Sequence, residues 1–334
     1  MARGAIPASP LPQRCGVDAQ RFRMPQGGPW ERLRDHLVER LAAGLRAEEV
    51  DRMLAAGEFV DATGVPVPAD APFVPRSVVW AHRDHPDEVV VPFEIEVLHE
   101  DDRLVVVDKP HFVATTPRGR HVAQSALARA RVLTGRPGLS PAHRLDRPTA
   151  GVLLLPTEQR WRGAYQRLFA EGRVHKEYLA VAGVREHLGL PLVRRSHLVK
   201  EHGRLQAREV PGLAPNAETL IELVERRGRL GLYRLVPRTG RTHQLRCQLS
   251  GLGIPIVGDP LYPVVRDVAD DDFGEPLQLL AAALAFDDPV DGSPRRFASR
   301  RFLAAWPPGL PEVSAEVSAE VSAEVPTGHL TRGT

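Results

Sequence analysis

The chain has 334 residues, with 44 Lys and Arg against 42 Asp and Glu, for a formal net charge of +2. Its composition of 43% hydrophobic and 26% charged residues is that of a globular protein with a sizeable core and excludes wholesale disorder. The near balance of charge excludes attraction of the whole chain to nucleic acid, so any such surface must come from local clustering.

The first 29 residues are rich in Pro, Gly and Arg without periodicity and read as a flexible arm, 1–29. They lack the apolar segment of a signal peptide. From Trp30 the pattern turns helical, with Leu33, Leu37 and Leu41 at four-residue spacing and a second short helix carrying Val50, Met53 and Leu54 up to Gly57. Two β-like runs follow around a turn, at 58–67 and 77–80, which completes a small α/β unit over 30–89. The charged stretch His82–Glu88 reads as a linker. From Val90 to about Trp306 short strands alternate with helices, and a catalytic domain is expected over 90–310. Strands are expected at 94–98, 103–108, 151–155, 177–183, 217–224 and 232–237, and helices at 122–133, 159–171 and 242–252. Few βαβ units occur, so the fold class is α+β on a mainly antiparallel mixed sheet. The end, 311–334, repeats Glu-Val-Ser-Ala three times from Glu312 to Ala323 and reads as a low-complexity disordered tail.

Two cysteines, Cys15 and Cys247, lie far apart in no metal or redox spacing, so reduced thiols and a cytoplasmic location are expected. No run approaches about 18 apolar residues, so no membrane span is expected. The basic residues are almost all Arg, which suits phosphate and base contacts, although genomic base composition accounts for that bias without function.

The most informative segment is Ser140-Pro141-Ala142-His143-Arg144-Leu145-Asp146-Arg147-Pro148-Thr149-Ala150-Gly151, which runs into Val152-Leu153-Leu154-Leu155. It places an Asp between two Arg in a Pro-punctuated turn before a short buried-looking strand, where a fold presents a carboxylate at a cleft mouth. Such a carboxylate needs a cation to stay charged. The candidate is Arg246, in Thr239-Gly240-Arg241-Thr242-His243-Gln244-Leu245-Arg246. Leu245, Leu249 and Leu252 form one face of that helix and leave Thr242 and Arg246 on another.

These two segments resemble the active-site motifs of the RluA-type RNA pseudouridine synthases. Three more stretches agree: Ile95 to Lys109-Pro110, Lys176-Glu177-Tyr178-Leu179-Ala180, and Gly253-Ile254-Pro255-Ile256-Val257-Gly258-Asp259-Pro260-Leu261-Tyr262. Five motifs in order across 95–290 are far more specific than any one alone. The 30–89 unit resembles a divergent S4-type RNA-binding domain; a small cap without an RNA role would read similarly. The chain departs from the family pattern at Ala150, where Ser is usual, and at Leu280 and Asp288, where His is usual.

The resemblance implies an RNA pseudouridine synthase that isomerises uridine in ribosomal or transfer RNA without cofactor. Asp146 would act on the ribose, as nucleophile or as base, so that the N-glycosidic bond breaks and uracil rejoins through C5. Tyr178, on a strand whose Leu179 and Val181 point the other way, would stack on the extruded base or move a proton, and Arg246 would be the counter-ion. Read blandly, the three are a turn carboxylate, a packing Tyr and a surface Arg. Arg144 would touch phosphate or fill the space left by the flipped nucleotide. Arg147, Thr149, Arg241, His243 and Leu245 fall on the motif positions expected to bind substrate. Arg118, Arg120, Arg129, Arg131 and Arg136 form a candidate phosphate-contacting stripe, the partner being RNA and the chain a monomer. A catalytically silent RNA-binding or ribosome-assembly factor on the same fold is the alternative. A metal hydrolase using His143, His243, Asp146 and Asp259 lacks any His-x-His or His-Glu-x-x-His spacing, so no metal is expected. Neither a Walker A nor a dinucleotide glycine motif is present, so no nucleotide cofactor is expected.

Overall fold

The computed structural model describes residues 9–42, 44–83 and 88–307. Part of the linker and the whole repeat tail from 311 lie outside the described residues.

Strand β1 (Gln20–Arg23), helix α1 (Leu33–Leu41), helix α2 (Ala47–Ala55) and strand β2 (Val78–Ala81) form the small unit. β1 and β2 are antiparallel, with Arg21 opposite Trp80 and Phe22 opposite Val79. Phe22 and Met24 lie in one core with Leu33, Leu37, Leu41, Val50, Met53, Leu54 and Phe59. The expectation of a flexible arm is therefore corrected for residues 9–29. The segment is a structural strand whose two inward apolar residues, flanked by exposed Arg23 and partly exposed Arg21, are too few to show a period. It also docks on the large domain. Arg131 is buried and donates to the Gly16 carbonyl and to Asp18, both at 3.0 Å, and Gln13 reaches the Pro137 carbonyl at 2.9 Å.

The large domain follows with β3 (Glu96–Glu100), β4 (Leu104–Lys109), α3 (Ala126–Thr134), β5 (Ala150–Pro156), α4 (Gln159–Ala170), β6 (His175–Gly183), β7 (Leu192–Ser196), β8 (Leu198–Val199), β9 (Arg208–Glu209), β10 (Ala217–Arg227), β11 (Leu230–Pro237), α5 (Gln244–Gly251), β12 (Leu279–Asp287) and β13 (Pro294–Ala298). Among the described residues the main sheet has nine strands in the order β3-β4-β5-β12-β6-β11-β10-β7, with β13 on β12. Its described pairs are antiparallel except β5 with β12. β8 and β9 form a separate two-stranded ribbon.

Both faces of the β4–β5 pair are covered, which explains their unbroken apolar runs. Val105, Val107, Leu153 and Leu155 pack with Ala126, Leu127 and Ala130 of α3. The alternate residues Leu104, Val106, Val152 and Leu154 pack with Tyr165 and Leu168 of α4. α5 lies on the other half of the sheet, its Leu245 and Leu249 against Ala180, Ile221, Tyr233 and Leu235. α3 is capped by the Ser125 hydroxyl, and Glu88 accepts from the amides of Val122, Ala123 and Gln124 at 2.6–2.9 Å just before it. Acceptors are favoured there because these N–H groups have no helical partner.

The expected strands and helices of the large domain are present with ends shifted by a few residues. β12 was not anticipated. Its sequence Leu-Leu-Ala-Ala-Ala-Leu-Ala-Phe is buried on both sides at the sheet centre, so it shows no alternation, and its alanines favour helix intrinsically. β12 also gives Gly151 its reason. There φ is +117°, and a Cβ would fall 2.2 Å from the Ala281 carbonyl oxygen, so only glycine lets the two strands meet.

Candidate active site

The loop that carries Asp146 is fixed from three sides. The Ala142 amide bonds the Leu154 carbonyl at 3.0 Å, which ties the loop to β5. The Thr115 hydroxyl both donates to the Leu145 carbonyl (2.7 Å) and accepts from its amide (3.1 Å). The Thr149 amide closes a turn onto the Asp146 carbonyl at 3.0 Å, while the Thr149 side chain is buried. Beneath this turn Lys109 is wholly buried, its Nζ donating to the carbonyls of Val113, Pro110 and Arg147 at 2.7, 3.0 and 3.3 Å. Burial pushes its ammonium down to about 7, against an upward pull from Asp146. The backbone is thus locked while the Asp146 side chain remains 31% exposed.

Arg246 reaches this carboxylate from α5. Its side chain is 2% exposed and its Nη1 lies 3.2 Å from Asp146 Oδ2. The other edge of the guanidinium makes a fork with Asp259: Nε to Oδ2 at 2.8 Å and Nη2 to Oδ1 at 2.6 Å. Asp259 is fully buried and also accepts from the amides of Leu261 (2.8 Å) and Tyr262 (3.1 Å). Gly258, at φ +73°, permits that approach, since a Cβ there would sit 2.4 Å from the Pro276 carbonyl oxygen. Burial works against the charged Arg246, but Asp259 and then Asp146 outweigh it and raise its pKa. A buried bidentate pair of this kind fixes orientation as well as charge.

His243 begins α5 in a left-handed conformation, φ +56°. Its Nε2 lies 3.9 Å from Asp146 Oδ2 and its Nδ1 3.2 Å from the Tyr262 hydroxyl. Burial lowers its pKa, opposed by Asp146. Tyr178 lies on β6 opposite Leu235 and Ala281, with Leu245 in the same apolar cluster. Burial raises the Tyr178 pKa and the Asp146 charge adds to it, which marks the two as electrostatic neighbours. Among the described residues no group hydrogen-bonds the Tyr178 hydroxyl. Asp146, Arg246, His243 and Tyr178 therefore converge, and Leu245 backs them from the core.

The other expected substrate residues divide. Arg144 is exposed, with no hydrogen-bond or ion-pair partner among the described residues. Arg241 is exposed and donates to the Asn216 carbonyl at 3.0 Å. Arg147 is held to the Phe112 carbonyl (3.1 Å) and the Asp270 carbonyl (3.2 Å), with the Asp270 carboxylate 3.7 Å away. The continuous Arg stripe is corrected. Arg131 is committed to the N-terminal segment, Arg129 donates to the Phe93 carbonyl at 2.7 Å, and Arg136 pairs with Glu100 at 2.6 Å. Only Arg118 and Arg120 of the five are exposed, the latter 3.6 Å from Asp270. His143 stacks on Phe169 and accepts from the Leu154 amide at 3.2 Å, a structural use.

Sequence reasoning gave Asp259 and Lys109 no catalytic place, although both stand in recognised motifs, because their partners are set by tertiary folding. The three departures from the family pattern fall in packing positions. Ala150 and Leu280 are buried in one apolar cluster, and Asp288 accepts from the Tyr165 hydroxyl at 2.9 Å. None contacts the Asp146–Arg246–Asp259 chain.

Known proteins resemble this chain in sequence and in fold. The family model for RNA pseudouridylate synthase matches residues 103–251. The dual-specificity RNA pseudouridine synthase RluA of Vibrio cholerae serotype O1 is 33% identical over 206 residues, covering 58% of this chain and 78% of that protein. The mitochondrial tRNA pseudouridine(32) synthase of Saccharomyces cerevisiae is 30% identical over 187 residues, covering 54% of this chain and 39% of that protein. Among solved structures, human RNA Pseudouridylate Synthase Domain Containing 1 superposes with a TM-score of 0.50 at 24% identity, over 62% of this chain and 84% of that one, a likeness of fold. With the matched segment carrying Asp146, Tyr178 and Arg246, and most of a one-third-identical relative covered, the chain belongs to the RluA-type RNA pseudouridine synthases.

Proposed function

We propose that the protein converts uridine to pseudouridine in structured RNA, with Asp146 as the catalytic carboxylate. The observation that carries this reading is the buried Arg246, clamped by Asp259 and extended to Asp146 across a hundred positions of sequence. An oriented carboxylate beside a fixed cation is what glycosidic chemistry at C1′ requires. The N1–C1′ bond breaks, the uracil turns, a C5–C1′ bond forms, the C5 proton leaves and N1 regains one, so atoms balance without a co-reactant. Tyr178, whose hydroxyl has no hydrogen-bond partner among the described residues, would meet the turned base and handle that proton. Arg144, equally unengaged, is suited to a phosphate flanking the extruded nucleotide, which must leave its stack at a cost of about a few kcal/mol.

Ribosomal or transfer RNA is the proposed substrate class, the latter in keeping with the name of the yeast relative, and the cytoplasm the proposed compartment of a monomeric enzyme. The small N-terminal unit is read as an S4-like RNA-binding domain. The family departures lie away from the carboxylate, which disfavours a binding-only protein. The test is a transcriptome-wide pseudouridine map of a deletion strain restored with wild type or with Asp146→Asn. A site that disappears and returns only with wild type is expected; restoration by Asp146→Asn would refute the assignment. The variant should lose at least about 10³-fold in rate while binding RNA within a few-fold.

A further inference from the structure

The small unit contains a pocket of about 410 Å³ lined by Arg23, Met24, Gln26, His36, Arg40 and Arg76. That volume lies within the range of small-ligand sites, about 300–1,000 Å³. Three arginines among its lining residues come from three separate elements: the end of β1, the end of α1 and the turn before β2. Most arginines of this chain are ion-paired; these three have no carboxylate partner among the described residues. The neighbouring acids are engaged elsewhere, Glu39 with the indole N–H of Trp30 at 2.7 Å and Asp35 with Arg34 at 3.4 Å. No Asp or Glu lines the pocket.

One of the three side chains is fixed in advance. Arg40 Nη1 donates to the Arg23 carbonyl at 2.7 Å, and its guanidinium lies 5.7 Å from the centre of the Phe22 ring. Arg76 stands in a left-handed conformation, φ +63°, with its amide on the Pro25 carbonyl at 3.2 Å. A non-glycine residue held there is a strain typical of ligand clamps. The floor is polar as well. His36 is 6% exposed, set between Trp30 and Phe73, and neither ring nitrogen has a hydrogen-bond partner among the described residues.

We propose that this pocket binds a phosphate of the RNA substrate, on a different domain from Asp146. Planar guanidinium forks match phosphate oxygens bidentately, and Arg40, already held on the Arg23 carbonyl, loses little freedom on binding. The catalytic domain is itself basic, with 32 Lys and Arg against 25 Asp and Glu over 90–310, but Arg129, Arg131, Arg136 and Arg147 there are already committed to protein groups. The inference rests on the RNA-modifying reading above.

The test compares the full chain with Arg23→Gln/Arg76→Gln and with the charge-preserving Arg23→Lys/Arg76→Lys. Direct binding to a structured substrate transcript is followed across salt, alongside turnover. Loss of this one phosphate contact should lower the slope of log affinity against log salt by about 0.7–0.9. The Gln pair should raise KM severalfold with kcat unchanged, and the Lys pair, which keeps the charge but not the fork, should restore the slope and part of the KM. An unchanged slope and KM, or a slope that Lys does not restore, would overturn the proposal. Calorimetric titration with inorganic phosphate separates the sources: phosphate binding lost in the Gln pair while RNA affinity stays intact would make this a small-anion site and equally overturn it. The binding slope reads the pocket even if wild type converts no uridine, an outcome that would instead refute the proposed activity.

Discussion

The Asp146 carboxylate is one end of a chain of three charges whose middle, Arg246, is buried and whose far end, Asp259, is fully enclosed. Asp259 does not face the cleft, so its effect passes through Arg246. Removing one partner from a buried pair leaves an uncompensated charge, which costs about 3–5 kcal/mol. Asp259→Asn, which keeps the shape and some of the hydrogen bonds, should lose about 2–4 kcal/mol of stability and lower kcat more than it raises KM; urea unfolding and single-turnover rates check both. Lys109 offers a pH signature. Its folded pKa of about 7 lies below the ordinary lysine value. Between about pH 7 and 10.4 the unfolded chain therefore binds more protons, and stability from this group rises with pH by up to about 1.4 kcal/mol per unit. Denaturation midpoints should climb from pH 7.5 to 9, and Lys109→Met should flatten that rise.

Strands β4 and β5, buried on both faces, were readable from short valine and leucine runs bounded by turn residues, whereas the equally buried but alanine-rich β12 was not. The strand carrying Tyr178 and the hairpin of β10 and β11 have β-rich, alternating runs. The helix carrying Arg246 shows its leucine face, which supported the Asp146–Arg246 pairing, but it was the resemblance to the family's motifs that made that pairing foreseeable. β12 has no polar face to mark its period, and β1 has only two inward apolar residues. The arginine stripe was misjudged for a related reason: composition counts charges but does not reveal which are already neutralised. Gly151 tests the junction that this blindness hid. Gly151→Ala would drive a methyl group into the Ala281 carbonyl at a backbone angle alanine rarely adopts, and should cost more than about 3 kcal/mol, visible as a large drop in thermal midpoint together with lost activity.

At the scale of the whole molecule, the small unit and the catalytic domain are tied through α3, at one end by Gly16 and Asp18 on Arg131 and at the other by Glu88 at the helix start. The repeat from Glu312 has a composition that cannot bury a core, so deleting 312–334 should leave turnover and affinity within about twofold, measured on the same transcript. The place of β12 has a further consequence, for how the protein is made. Asp146 precedes β5 and Tyr178 lies on β6, yet the strand between them in the sheet is drawn from residues 279–287. On the ribosome, both halves of the catalytic centre are synthesised about a hundred residues before the strand that joins them. Until it emerges, β5 and β6 each present an open hydrogen-bonding edge, the state in which nascent sheets are most prone to wrong pairing. A chain halted near residue 276 would hold Asp146, Tyr178 and Arg246 but no strand to join β5 to β6, so the proposed site can assemble only after residues 279–287 have emerged.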